Sequence, residues 1–338
     1  MDGFLHVGND TTMITLSRAQ PVRDTAFRFT PELLAIVTVT GSAADTYQLQ
    51  EIGNGNYSIT QLPLNPNETY QLRITTSDGT QYISDSVIPY RTPPIDTVGW
   101  NSDSLGLNIY LNTHDPTNIV QYYRWDYTET WQREAYYTSP LQYINGTLVG
   151  RQPSQQISTC WETQNSTNLL LNTSTKLSQD VIYQEPIRFI PLGSEQVNVL
   201  YSIIVRQYGL SADAYAYWES LQGSTETTGS IFDPIPSTVT GNIHCVTHSN
   251  EIVLGYIGDS IVRQKRIFIN RASISNWPQS YPVCVDSIIP PSRISDFADS
   301  AVLLPVKMLP DGNYFASLAD CVDCRVTGGT TTKPWFWP

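Results

Sequence analysis

Two spacings in this sequence could carry chemistry. Cys321 and Cys324 form a C-x2-C pair, and His244 and His248 form an H-x3-H pair around Cys245. A C-x2-C pair serves as a redox switch, as half of a zinc site, or as a disulfide anchor in an oxidising compartment. Zinc would need both pairs as one tetrahedral set. On a strand, His244 and His248 would stand ~13 Å apart, too far to share one ion. The two pairs also occur in reverse order and far outside the compact spacing of zinc fingers. A thioredoxin-like role needs a βαβ context, which is lacking around residue 321. The sequence thus favours structural disulfides among Cys160, Cys245, Cys284, Cys321 and Cys324. Cys160 and Cys245, on separate strands, are one candidate bridge; the C-terminal trio supplies another bridge and one spare thiol. No metal and no cofactor is expected.

A second cluster is aromatic. YYRWDYTETW, residues 122 to 131, places Tyr123, Trp125 and Tyr127 on one face of a strand and Tyr122, Arg124 and Asp126 on the other, with Trp131 following. Exposed, the row of Tyr123, Trp125, Tyr127 and Trp131 could stack on sugars or grip a partner. Buried, it is the core strand of a sandwich, with its Arg paired to a neighbouring carboxylate. Asp126, Glu129, Glu134 and Asp233 are the acids to inspect for a hydrolytic pair, which requires two carboxyls at a set separation. No G-x-S-x-G, H-E-x-x-H or P-loop occurs, and the four histidines lack a triad context. A net charge of -12 speaks against nucleic acid, whose phosphates are met by clustered Lys and Arg.

The elements that must position these groups read as mainly β. Only 15% of residues are charged, whereas Tyr, Trp, Thr, Ser and Asn abound. In TYQLRIT, Tyr70, Leu72 and Ile74 alternate with polar neighbours, and Asp78-Gly79 marks a two-residue hairpin after it. Repeated short strands predict an Ig-like or prealbumin-like β-sandwich over residues 1–93, a spacer by fold analogy. The consecutive prolines of RTPPID end it, and a larger β-rich domain follows over 94–338. That domain has one short helix at about 211–222, capped by Ser211, carrying Ala214, Trp218 and Leu221 inward, and stopped by Gly223. EIVLGYIG reads as a strand, residues 285 to 320 as irregular, and GSIFDPIPSTVTGN as a Pro-rich loop. Trp335, Phe336 and Trp337 are expected to pack on the second domain, with Gly328 and Gly329 permitting the turn before them.

The blocks YQLRITTSDGTQYISDSV, TPPIDTV, YYRWDYTETW, YSIIVRQYGLSADAYAYWESL, GSIFDPIPSTVTGNIHC and CVDCRVTGGTTTKPWFW, in this order, resemble the bacterial envelope family catalogued as domain of unknown function 4249. The resemblance implies a Bacteroidota outer-membrane lipoprotein encoded beside a TonB-dependent transporter, and it implies no catalytic residue. Neither a signal peptide nor a lipid-bearing cysteine stands at residue 1, so membrane attachment is expected only through an N-terminal lipid outside this sequence. The expected function is that of a non-catalytic accessory lipoprotein in an oxidising envelope compartment, binding an outer-membrane transporter or its cargo. A surface glycan- or peptide-binding module is the alternative, and a carboxylate-dependent hydrolase stands behind it.

Overall fold

In a computed structural model of the chain, which describes residues 2–6, 11–18, 30–226 and 239–338, alternation of apolar and polar positions builds a mainly β protein. Two five-stranded sheets share the first core. One runs in the order Tyr256–Ser260, Asp2–His6, Thr11–Thr15, Asn56–Thr60, Gln50–Gly53. The other runs Ile243–Cys245, Gln81–Ser84, Tyr70–Thr75, Ile36–Gly41, Thr46–Gln48. Tyr70, Leu72 and Ile74 point inward as the alternation predicts, against Val37, Val39, Ile14 and Tyr57. The hairpin at Asp78-Gly79 is longer than two residues. Thr75 pairs with Gln81, so the loop spans residues 76–80, with Gly79 at a φ of +87° and the Asp78 carboxylate accepting from Thr76 and Thr80.

Two strands of this first unit come from far along the chain. Tyr256–Ser260 pairs in parallel with Asp2–His6, and Ile243–Cys245 pairs antiparallel with Gln81–Ser84. Ile243 and Ile257 enter the same core. A linear division at residue 93 places both strands in the second unit, whereas the structure returns them to the first. No local periodicity signals such a return, because each pairing joins segments far apart in the chain.

The second unit packs a three-stranded sheet, Ile95–Ser102, Gly106–Asp115, Asp180–Pro191, against a sheet ordered Thr159–Asn165, Tyr122–Glu134, Leu200–Leu210, Arg263–Asn270. Leu170–Thr173 pairs with the first half of the long strand Tyr122–Glu134. Leu107, Ile109, Leu111, Ile203 and Val205 fill the space between the two sheets. The stretch expected to be irregular instead holds a further three-stranded sheet, Asp286–Ile289, Tyr314–Leu318, Leu303–Met308. Pro290, Pro291 and Pro305 hide it in the sequence; Pro305 is accommodated at a break in register before Lys307. In EIVLGYIG only the residues from Tyr256 onward form a strand.

The helix is Ala212–Glu226, longer than expected. Ser211 caps it, its Oγ accepting from the Ala214 amide at 3.1 Å. Ala214 and Trp218 are buried and Leu221 packs beside them. Gly223 lies within the helix. A glycine costs about 1 kcal/mol there, and the packing of the preceding turns outweighs that preference. No helix among the described residues is long and apolar enough to cross a membrane.

One half-buried acid yields a stability prediction. Burial raises the pKa of Glu185, and the hydrogen bond donated by Asn172 Nδ2 opposes that shift only in part. A raised carboxyl pKa means that the folded state gains protons relative to the unfolded chain, so the ionised form weakens the fold above the folded-state pKa. Glu185→Gln keeps an acceptor for Asn172 and is expected to raise the melting temperature at pH 8. The gain should vanish as pH falls below the unfolded carboxyl value. Melting curves across that range check it, and a pH-independent change would refute the assignment.

Candidate functional site

The five cysteines resolve into a clamp. Cys160 bonds Cys324, Cys284 bonds Cys321, and Cys245 is a buried free thiol. The proposed Cys160–Cys245 bridge is therefore incorrect. Cys160 lies on an edge strand of the second unit and Cys245 on a strand of the first, so the two never meet. Both cysteines of the C-x2-C pair are oxidised to different partners, which removes them from any thiolate zinc set. Two disulfides fit an oxidising compartment.

The tail follows the clamp. Thr330 exchanges backbone hydrogen bonds with Trp161 at 2.8 and 2.9 Å. Gly328 has a φ of +101°, whereas Gly329 is required by contact: a Cβ there would lie 2.6 Å from Cys160 Cβ. Trp337 is buried against Trp161 and Phe268, and Phe336 lies under the Arg266 guanidinium, 3.7 Å from its carbon to the ring centroid. Trp335 departs from the expectation and is 94% exposed.

The aromatic row is core. Tyr123, Trp125, Tyr127 and Trp131 are all buried, so none offers a surface to a glycan or peptide. Tyr123 and Trp125 stack at 5.6 Å, and the Tyr123 hydroxyl donates to Asp180. On the opposite face Arg124 lies over the rings of Trp218 and Tyr208, under the helix. Two of the candidate acids are already engaged. Asp126 pairs with Arg206 at 2.5 Å and accepts from the Tyr208 hydroxyl. Glu129 shares the buried face, where it pairs with Arg188 at 3.1 Å and accepts from Tyr201 at 2.7 Å. Glu134 is exposed. Asp233 and most of the Pro-rich loop lie outside the described residues.

What the structure does assemble is a cleft of about 620 Å³ where the two units meet. The segment after strand Gln81–Ser84 gives Asp85, Ser86 and Tyr90; the start of the helix gives Ser211, Asp213, Ala216, Tyr217 and Ser220; the returning segment gives Thr240, Asn242 and Tyr256. Asn242 fixes the last wall: its side chain exchanges two 2.9 Å hydrogen bonds with the backbone of Ile257, and its carbonyl accepts from the Asp85 amide at 2.7 Å. At the mouth Asp85 Oδ1 lies 2.9 Å from His244 Nε2. Inside, the Tyr217 and Tyr256 rings stack at 5.1 Å. Burial raises the Tyr256 hydroxyl above the usual phenol range. A hydrogen bond with Ser211 opposes this, and the charges of Asp213 and Asp85 add to it. Tyr256 therefore stays protonated at neutral pH and can donate.

Ser211 caps the helix and Asp213 lies in its first turn. Their second role in a cleft wall had no local signal, because the opposite wall comes from residues 85–90 and 240–258. The described lining residues include no Lys, Arg, His or Cys. The arrangement can hold positive charge and hydrogen-bonding groups.

A search of curated proteins finds no match. The family described as Domain of unknown function (DUF4249) matches residues 1–266, which takes in the first unit, most of the second, the helix and the cleft walls. The chain belongs to the Domain of unknown function (DUF4249) family.

Proposed function

We propose that the chain is a non-catalytic accessory lipoprotein of the bacterial outer membrane, whose cleft receives a basic segment of a TonB-dependent transporter or of its cargo. The observation that carries this reading is the sign of the cleft. Asp85 and Asp213 line it together with Tyr90, Tyr217 and Tyr256, and no cationic side chain is among the described residues that line it. A guanidinium or ammonium group can be met there by carboxylate and by aromatic face at once. The net charge of -12 extends the same attraction over the whole molecule and speeds encounter with a positive partner. The two sandwiches form rigid walls, and the segments joining them carry the contact groups.

A free peptide could use the same cleft. Glycan stacking loses support because the aromatic row is buried. A photo-crosslinking residue at Ala216, exposed on the helix beside the cleft, tests the reading in the lipidated protein within its own envelope. Illumination is expected to yield an adduct with an outer-membrane transporter. The same residue at Asp311, in the exposed turn between strands Leu303–Met308 and Tyr314–Leu318, should give none. Adding Asp213→Lys should cut the Ala216 adduct at least tenfold. Equal adducts from both positions, or no adduct from Ala216, would count against the proposal.

A further inference from the structure

The turn after strand Ile243–Cys245 gathers three metal-binding side chains outside the cleft, in the pattern C-x2-H-x2-E. One ligand atom each from Cys245, His248 and Glu251 lies within 4.8 Å of the other two. We propose that these residues form a zinc site. The ion would be held by the Cys245 thiolate, a His248 ring nitrogen and a Glu251 carboxylate oxygen, with a fourth position open to water.

Three observations beyond proximity support it. The Cys245 sulfur already accepts a hydrogen bond from the His248 amide at 3.3 Å, so the backbone of His248 is held against that sulfur. Glu251 is oriented by the Tyr82 hydroxyl, which donates to Oε1 at 2.7 Å and leaves the other oxygen, 4.0 Å from His248 Nδ1, for a metal. Such outer-shell hydrogen bonds hold metal ligands in place. The turn itself is pinned to the next strand, with the Val246 amide donating to the Gln81 carbonyl at 2.7 Å and the Gln81 amide to Thr247 Oγ1 at 2.9 Å.

In a tetrahedral zinc site with metal–ligand bonds near 2.0 to 2.3 Å the donors stand about 3.5 Å apart. The set must therefore close by roughly 1 Å. His248 and Glu251 are exposed and can rotate to do so, while buried Cys245 stays fixed. One thiolate with one imidazole selects zinc over calcium or magnesium, which prefer all-oxygen sites. Binding releases the Cys245 proton to solvent. The ion would also stiffen the strand end bearing His244, which bonds Asp85 at the cleft mouth. The site depends on none of the cleft's lining residues.

Cobalt titration of the full chain, with both disulfides intact and no reductant, tests the proposal. One equivalent of Co2+ is expected to produce a near-ultraviolet thiolate-to-cobalt band that one equivalent of Zn2+ abolishes. Cys245→Ser should remove the band. His248→Ala and Glu251→Gln should weaken binding at least tenfold, and Tyr82→Phe should weaken it by a smaller factor. The His248 and Glu251 variants change exposed side chains, so they decide the matter even if Cys245→Ser does not fold. The site is overturned by absence of stoichiometric binding, by a band that survives Cys245→Ser, or by affinities unmoved in both exposed variants. Transporter crosslinking from Ala216 is a separate readout and separates failure here from failure of the cleft.

Discussion

Replacing Cys160 and Cys324 together by alanine is expected to lower the free energy of unfolding by about 5 kcal/mol, a large share of the stability of a typical domain. The magnitude follows from the loop. The bond joins residues 164 positions apart, and the entropy that a crosslink removes from the unfolded chain grows with the logarithm of that separation. Cys284–Cys321 closes a separation of only 37, and its removal should cost about 4 kcal/mol. The native state adds to the difference. Cys160 and Cys324 are both buried, Gly329 packs directly on Cys160, and the Trp161–Thr330 backbone bridge lies beside them. Urea unfolding of the two double variants would check the order. If the Cys284/Cys321 variant were the less stable, the entropy of the unfolded chain would not be what ranks the two bonds. Hydrogen exchange should show the tail from residue 325 onward losing protection first in the Cys160/Cys324 variant, because that bond is its covalent anchor.

Local patterns made the strands legible and left their long-range company hidden. Tyr70, Leu72 and Ile74 announced a half-buried strand, and Tyr123, Trp125 and Tyr127 fell on one face as their alternation required. Ser211 announced a helix start. The bridge from Cys160 to Cys324 could not be found in the same way. Spacing ranks loops by entropy but does not say which edge strand the tail will reach. The return of Ile243–Cys245 and Tyr256–Ser260 to the first unit is hidden for the same reason, and the cleft with it. Its two carboxylates, Asp85 and Asp213, face one space only because that return closes a wall beside them. The zinc reading was half visible. His248 stood out by its spacing to His244, yet in a strand those two are separated, and the useful partners are Cys245 beneath it and Glu251 after the turn.

Trp125→Ala is expected to cost about 3 to 5 kcal/mol, as the loss of a large, fully buried ring from a close-packed interior does. The position carries more than volume. Trp125 Nε1 donates to Gln207 Oε1 at 2.8 Å, and Gln207 Nε2 in turn donates to the Pro93 carbonyl and to Thr113 Oγ1, each at 2.9 Å. Pro93 belongs to the connection between the two units, so this buried relay ties the central strand to the segment that sets their junction. Trp125→Phe keeps most of the packing but leaves the Gln207 oxygen without its donor, for an expected loss of about 1 to 3 kcal/mol. Both variants should lower the urea midpoint, with alanine the worse. The opposite pattern, an unchanged midpoint with lost partner binding, would mean that the aromatic row meets a ligand rather than the core. The relay also makes a finer separation possible. Thr113→Val removes one of the two acceptors of Gln207 Nε2 and the bond that Thr113 Oγ1 donates to the Pro94 carbonyl, and leaves the Trp125 ring in place. It should therefore destabilise less than Trp125→Ala, because the ring stays packed and Gln207 retains its bond to Pro93.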